Sequence, residues 1–220
     1  MPDLRERWRT GWLEPSAYDT VIEHEQLARV FGWLGWGADT SRFYRELRRL
    51  GEEPPGTSVL DIPCGGGVAF RGLRAGQDTR YVAGDLSAVM LSRARAEARR
   101  RGVEALIEFA EADVEALPFS DGEFDLCVTY TGLHCFPDPA AAIAELARVL
   151  KPGGRLRGTA VTRGAGLRQD MLVRVMQTAS VFGPGGSLTD VERWLREAGL
   201  DEIDTTRDGA LAYFAGRKPL

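Results

Sequence analysis

Lysine is nearly absent from this chain. Only Lys151 and Lys218 interrupt a basic set that is otherwise arginine, and 28 basic residues face 32 acidic ones for a net charge of −4. That balance argues against a general nucleic-acid binder, which needs a positive surface. Histidine occurs twice, at His24 and His134, and cysteine three times, at Cys64, Cys127 and Cys135. An odd, irregularly spaced cysteine count does not make a disulfide framework. The same scarcity leaves too thin a ligand set for a metal site, because neighbours such as His134 and Cys135 reach one ion together only with difficulty. No apolar run approaches the ~18 residues of a membrane span. The segment Met1–Arg7 is charged and has no signal-peptide core. These absences lead us to expect a cytoplasmic protein with no membrane or nucleic-acid partner; the oligomeric state, monomer or homodimer, stays open.

What is present suits one α/β domain with a small helical addition: 220 residues, 44% of them hydrophobic, with no internal repeat. The arginines at 93, 95, 99, 100 and 101 sit with Glu97 and Glu104 in a helical stretch and read as a solvated face. Residues 1–52 read as a helical cap. Ala17 to Leu34 has apolar residues at helical spacing, and Asp39-Thr40-Ser41 can cap a second helix running to Leu50. Glu52-Glu53-Pro54-Pro55-Gly56 breaks the chain before residues 53–220, where strands and helices alternate. The clearest helices there are 87–101, 139–150 and 189–198. Gly153-Gly154 leads into a strand from Arg155 to Val161, and Asp208-Gly209 is a hairpin turn between two last strands. Within 164–187, Leu172, Val175, Met176 and Ala179 fall on one helical face, which suits either a lid insertion or packing on the sheet edge.

The chemistry concentrates at Val59-Leu60-Asp61-Ile62-Pro63-Cys64-Gly65-Gly66-Gly67. An apolar run ends in a carboxylate, turns through three glycines, and is followed at Val68 by a segment able to start a helix. This is the strand–turn–helix geometry at which nucleotide-like ligands meet an α/β sheet. The glycines let backbone approach a ligand closely. A P-loop reading fails, because Val68-Ala69 stands where Lys-Ser/Thr is required. The dinucleotide fingerprint fits poorly, because Phe70 occupies the third small position. A carboxylate beside this turn repels phosphates and welcomes a cation, which favours S-adenosylmethionine, a ligand with an ammonium, a sulfonium and no phosphate. A second strand ends at Asp85, 24 residues after Asp61, near the spacing at which an acid meets a ribose. A third, from Phe109, ends at Asp113-Val114, and a fourth runs from Phe124 to Tyr130. One strand-end acid is commonly a cap or a solvated turn; three in succession make a cleft.

With these motifs in order, the chain from about Thr57 to Thr162 resembles the class I S-adenosylmethionine-dependent methyltransferases. It is most similar to the small-molecule group of ubiquinone/menaquinone-biosynthesis-type (methyltransferase type 11) enzymes. Val59–Gly67 resembles the family's Asp-x-Gly-x-Gly-x-Gly loop, with Pro63 where a first glycine is usual. Gly84-Asp85-Leu86-Ser87 resembles the ribose-binding strand end, and Ala112-Asp113-Val114 the adenine-contacting segment. The resemblance implies a Rossmann-like, seven-stranded, mostly parallel sheet whose last strand is antiparallel, plus an N-terminal helical cap. It implies methyl transfer to a small-molecule acceptor, apolar or aromatic. The alternatives are a protein of the same fold that binds the cofactor for non-methyl chemistry or regulation, and an NAD-dependent reductase. The cofactor-binding residues implied are Asp61, Pro63, Cys64, Gly65, Gly67, Asp85, Leu86, Met90, Asp113, Val114, Tyr130 and Thr131. Candidates from the cap and the insertion toward substrate are Tyr18, His24, Met171 and Val175. His134, just past the fourth strand, is the candidate base, because histidine titrates near neutral pH; the competing reading is a histidine that shapes the loop. Trp8, Trp12, Trp33 and Trp36 crowd the N-terminal region, as an acceptor wall, a cap core or an interface.

Overall fold

The computed structural model describes residues 4–9 and 25–220. Seven strands form one sheet: β1 (Thr57–Asp61), β2 (Thr79–Asp85), β3 (Ile107–Glu111), β4 (Phe124–Tyr130), β5 (Leu150–Val161), β6 (Asp201–Asp208) and β7 (Leu211–Arg217). Their order is β3-β2-β1-β4-β5-β7-β6, and only β7 runs antiparallel to its neighbours. The sheet expected from the sequence is therefore present. From β1 the chain steps outward to β2 and β3, then returns to β4 on the other side. This reversal opens a crevice beyond the carboxyl ends of β1 and β4.

β1 is a central strand covered on both faces, and every residue of it is buried, its polar Thr57, Ser58 and Asp61 side chains being hydrogen-bonded to Pro54 O, Asp125 and Tyr81. Because side chains alternate, β1 feeds two cores. Val59 joins the one built with helix α3 (Ser41–Arg48) and helix α4 (Ala88–Arg101), where Tyr44 and Leu47 are fully enclosed. Leu60 joins the other, with helix α5 (Pro139–Val149) and helix α7 (Leu188–Glu197). Side chains cap three of these helices. Ser87 accepts from Met90 N–H, Asp138 accepts from the amides of Ala140 and Ala141 with Pro139 next, and Ser187 and Asp190 form a capping box.

Several boundaries differ from the sequence reading. The segment after Gly67 is a short 3-10 turn, Val68–Gly72, rather than an α-helix. β3 ends at Glu111, where its ladder with Asp85 stops, so Asp113 lies beyond the strand in an isolated bridge to Ala116. β5 begins at Leu150, and Gly153-Gly154 falls inside it, where the register with β4 shifts. The last hairpin turns at Gly209-Ala210. In the N-terminal region, helices α1 (Leu4–Arg9) and α2 (Glu25–Phe31) are described, and α2 runs into a π-helical turn, Gly32–Trp36. Trp12, Tyr18 and His24 lie outside the described residues. In helix α6 (Leu167–Thr178) the inward face carries Val173 and Met176, whereas Met171 and Val175 are 67% and 54% exposed. The structure thus turns these two substrate candidates outward, because α6 docks through Val173 on Val161, Phe182 and Ala210.

Candidate active site

At the carboxyl edge of β1, the loop through Pro63 and Cys64 is fixed to its neighbours. Ile62 N–H donates to Val128 O at 3.0 Å and Cys64 N–H to Gly84 O at 2.8 Å. Asp85 completes the loop's support: its Oδ2 accepts from Gly65 N–H and its Oδ1 from Ser87 N–H, each at 2.9 Å. Gly65 has φ +51°, lines the cavity, and a β-carbon there would meet no other atom within 4 Å. The loop is a cradle that a side chain would fill. The Ile62–Pro63 peptide is cis, and the proline ring lies so close to Gly132 that a β-carbon on Gly132 would overlap it.

The cavity above this loop is lined by Pro63, Cys64, Gly65, Asp85, Leu86, Met90, Asp113, Val114, Tyr130 and Thr131, all of which sequence reasoning had placed in one site. Two of the expected residues sit elsewhere. Asp61 lies beneath the loop at 1% exposure, accepting the Tyr81 hydroxyl at 2.8 Å. Burial pushes its carboxyl up to about 7, partly offset by the Tyr81 hydrogen bond. Gly67 serves packing: with φ +87°, a β-carbon there would meet the Phe70 ring at 2.5 Å. Thr131 carries a positive φ of 56°, unusual for a β-branched residue, and its Oγ1 donates to Tyr130 O at 2.7 Å.

The correction with most consequence concerns His134. It does not line the cavity. The ring is 2% exposed, edge-on to Phe182 at 4.4 Å, and its Nδ1 accepts from Val161 N–H at 3.2 Å. Burial lowers its pKa to about 3, so it is neutral near pH 7, with the lone pair of Nδ1 already engaged. Its carbonyl also accepts from Gly183 N–H at 2.9 Å. This geometry ties β5 and the 183 loop together and offers no proton acceptor to the cleft. Burial likewise raises the Cys64 thiol well above its ordinary value, so it is no nucleophile at neutral pH.

Other cavity residues gave weaker signals. Ile62, Cys135, Phe136, Pro137, Val181 and Phe182 form an apolar wall, and Arg5, Trp8 and Glu115 close the side beyond β3. Phe182 and Glu115 stand out only once distant segments meet. Arg5 is the sole basic residue among the described lining residues, and it pairs with Asp113 at 3.8 Å and with Glu115. The Gly65 amide goes to Asp85, and the Gly67 amide to Cys64 O at 2.9 Å. The Arg5 guanidinium and the Gly65 and Gly67 amides are therefore engaged within the protein. Acids, open glycine backbone and apolar flanks fit a nucleoside ligand that carries positive charge.

Comparison with known proteins agrees. Residues 60–157 match the model of the methyltransferase domain. Over 124 residues the chain is 40% identical to demethylmenaquinone methyltransferase of Thermus thermophilus, covering 56% of this chain and 55% of that one. The chain spans about half the length of the curated relatives it matches. Among solved structures, a phosphoethanolamine N-methyltransferase from Haemonchus contortus, in complex with phosphomonomethylethanolamine and S-adenosylhomocysteine, superimposes with a TM-score of 0.76. The two are 16% identical, over 100% of this chain and 61% of that one. The cyclase SpnF superimposes with a TM-score of 0.65 at 22% identity, covering 83% and 82%. The matched domain over residues 60–157 and the identity over 124 residues make this chain similar to the class I S-adenosylmethionine-dependent methyltransferases of the ubiquinone/menaquinone type, and the solved structures share its fold.

Proposed function

We propose that this chain transfers a methyl group from S-adenosylmethionine to an apolar small-molecule acceptor. The observation that carries the reading is the cleft's division: acids and open backbone toward β1–β3, and an apolar wall of Phe136, Pro137, Val181 and Phe182 beyond β4. In this reading Asp85 receives the ribose hydroxyls. Asp113 faces the adenine, which Leu86, Met90 and Val114 flank. Gly65, Tyr130 and Thr131 border the methionine end, while Asp61 supplies negative charge from beneath. Bound S-adenosylmethionine supplies an electrophilic methyl on a sulfonium. The chain's residues then align the acceptor and exclude water, as a direct displacement requires. With His134 withdrawn, the described lining has no histidine or lysine to take a proton, and its carboxylates Asp85, Asp113 and Glu115 already accept hydrogen bonds from backbone amides. The reading therefore favours an acceptor whose attacking atom is already electron-rich, such as an ionised phenol or an activated ring carbon. The ring of demethylmenaquinone, the acceptor in the name of the Thermus relative, is of this apolar aromatic kind. The described part of residues 1–52 serves as cap through Arg5 and Trp8, and 164–187 as wall through Val181 and Phe182.

Calorimetry with S-adenosylmethionine, S-adenosylhomocysteine and NAD is the first test. Binding of the two sulfur nucleosides and not NAD is expected; the reverse pattern would overturn the assignment. A second reading keeps the cofactor but not the transfer, since SpnF shows that a cyclase can have this fold. Release of S-adenosylhomocysteine during incubation with a panel of phenols and quinols separates the two.

A further inference from the structure

Helix α1 is held to the cleft by one side chain and contributes another to it. Arg5 reaches Asp113 at 3.8 Å and Glu115 more closely. The Glu115 side chain is only 5% exposed, and its second oxygen accepts Asp138 N–H at 2.8 Å, so one enclosed carboxylate joins α1 to the cap of α5. A carboxylate so enclosed depends on its partners far more than a surface pair does. One turn along α1, Trp8 lines the same cavity as Leu86, Met90 and Asp113. Its indole Nε1 is buried and has no hydrogen-bond partner among the described residues. A buried indole N–H ordinarily has an acceptor.

We propose that Trp8 is a ligand-binding residue: it covers the nucleoside half of the bound cofactor and donates its N–H to it, while the Arg5–Glu115 pair is the clasp that holds α1 in place. The inference rests on the cofactor reading above. The ligand supplies the acceptor that the indole lacks, and the clasp retards ligand release, because α1 lifts only when the guanidinium leaves an enclosed carboxylate.

The experiment uses the full chain and S-adenosylhomocysteine. Trp8→Phe keeps a ring and removes the donor; Arg5→Ala opens the clasp. Each should weaken binding about tenfold, the loss of one buried hydrogen bond or ion pair. For Arg5→Ala the loss should appear as faster dissociation in stopped flow. Without ligand, Arg5→Ala should also raise hydrogen exchange across residues 4–9. The double variant Arg5→Glu with Glu115→Arg should recover affinity relative to either single change. Wild-type dissociation constants and off-rates in both Trp8→Phe and Arg5→Ala would overturn the proposal while leaving the cofactor reading intact. Failure of the wild-type chain to bind S-adenosylhomocysteine would instead overturn the cofactor reading, and the proposal with it.

Discussion

Asp61 and His134 are both enclosed, and burial drives them in opposite directions. Between its ordinary value of 3.8 and about 7, folded Asp61 keeps a proton that the unfolded chain has released. Its contribution to stability therefore declines as pH rises through that window. Between about 3 and 6.5 the unfolded chain protonates His134 and the folded one does not, so its contribution declines as pH falls. The two partly cancel in the wild type. Urea midpoints from pH 4 to 8 should therefore steepen in opposite senses in Asp61→Asn, which keeps only the histidine's slope, and His134→Gln, which keeps only the carboxylate's. Parallel profiles in both variants would contradict the burial argument. A cationic ligand favours ionised Asp61, so cofactor affinity should rise as pH increases from 5.5 to 7.5, by less than about tenfold per unit. Calorimetry on Asp61→Asn should show that slope removed.

Elements were legible where their signals are local. Helix α5 is announced by Asp138-Pro139, and the structure gives Asp138 both amides of a good cap. Asp138→Ala should cost about 1 kcal/mol in a denaturant titration. The helix read from Ala17 to Leu34 is present over its described part, from Glu25, but it ends in a π-helical turn for a reason sequence spacing does not carry. The Gly209-Ala210 turn lies against Trp36: Ala210 N–H donates to Trp36 O at 2.8 Å, and Asp39 N–H donates to Asp208 at 2.8 Å. These contacts join residues about 170 positions apart and hold the chain in a π-helical turn. A β-carbon at Gly209 would overlap the Trp36 carbonyl, and φ there is +55°. Gly209→Ala should thus destabilise by about 1–3 kcal/mol, read as a lower denaturation midpoint. The outward turn of Met171 and Val175 has the same origin, since helical periodicity reports a face but not what meets it.

At the scale of the molecule, the sheet follows from alternating strands and helices, and the cleft from acids at successive strand ends. The cavity-facing acids Asp85, at the end of β2, and Asp113, two residues past β3, were readable because the carboxyl edge of the sheet has one direction. Arg5, Glu115 and Phe182 were not, because they reach the cavity from segments whose placement depends on packing. The whole fold should respond to occupation of this cleft. A ligand that binds only the folded state adds RT ln(1 + [L]/Kd), about 2.7 kcal/mol at a hundredfold excess over Kd. For a domain of this size, each kcal/mol shifts the melting temperature by about 2–4 °C. Saturating S-adenosylhomocysteine should therefore raise the melting temperature by about 5–10 °C, and NAD at the same concentration should leave it unchanged. Asp85 supports the loop as well as facing the cavity, since it accepts from Gly65 and Ser87 amides. Asp85→Ala should accordingly lower the melting temperature without ligand and also shrink the ligand-induced rise. An unliganded shift with the full ligand response retained would make Asp85 a support of the loop alone.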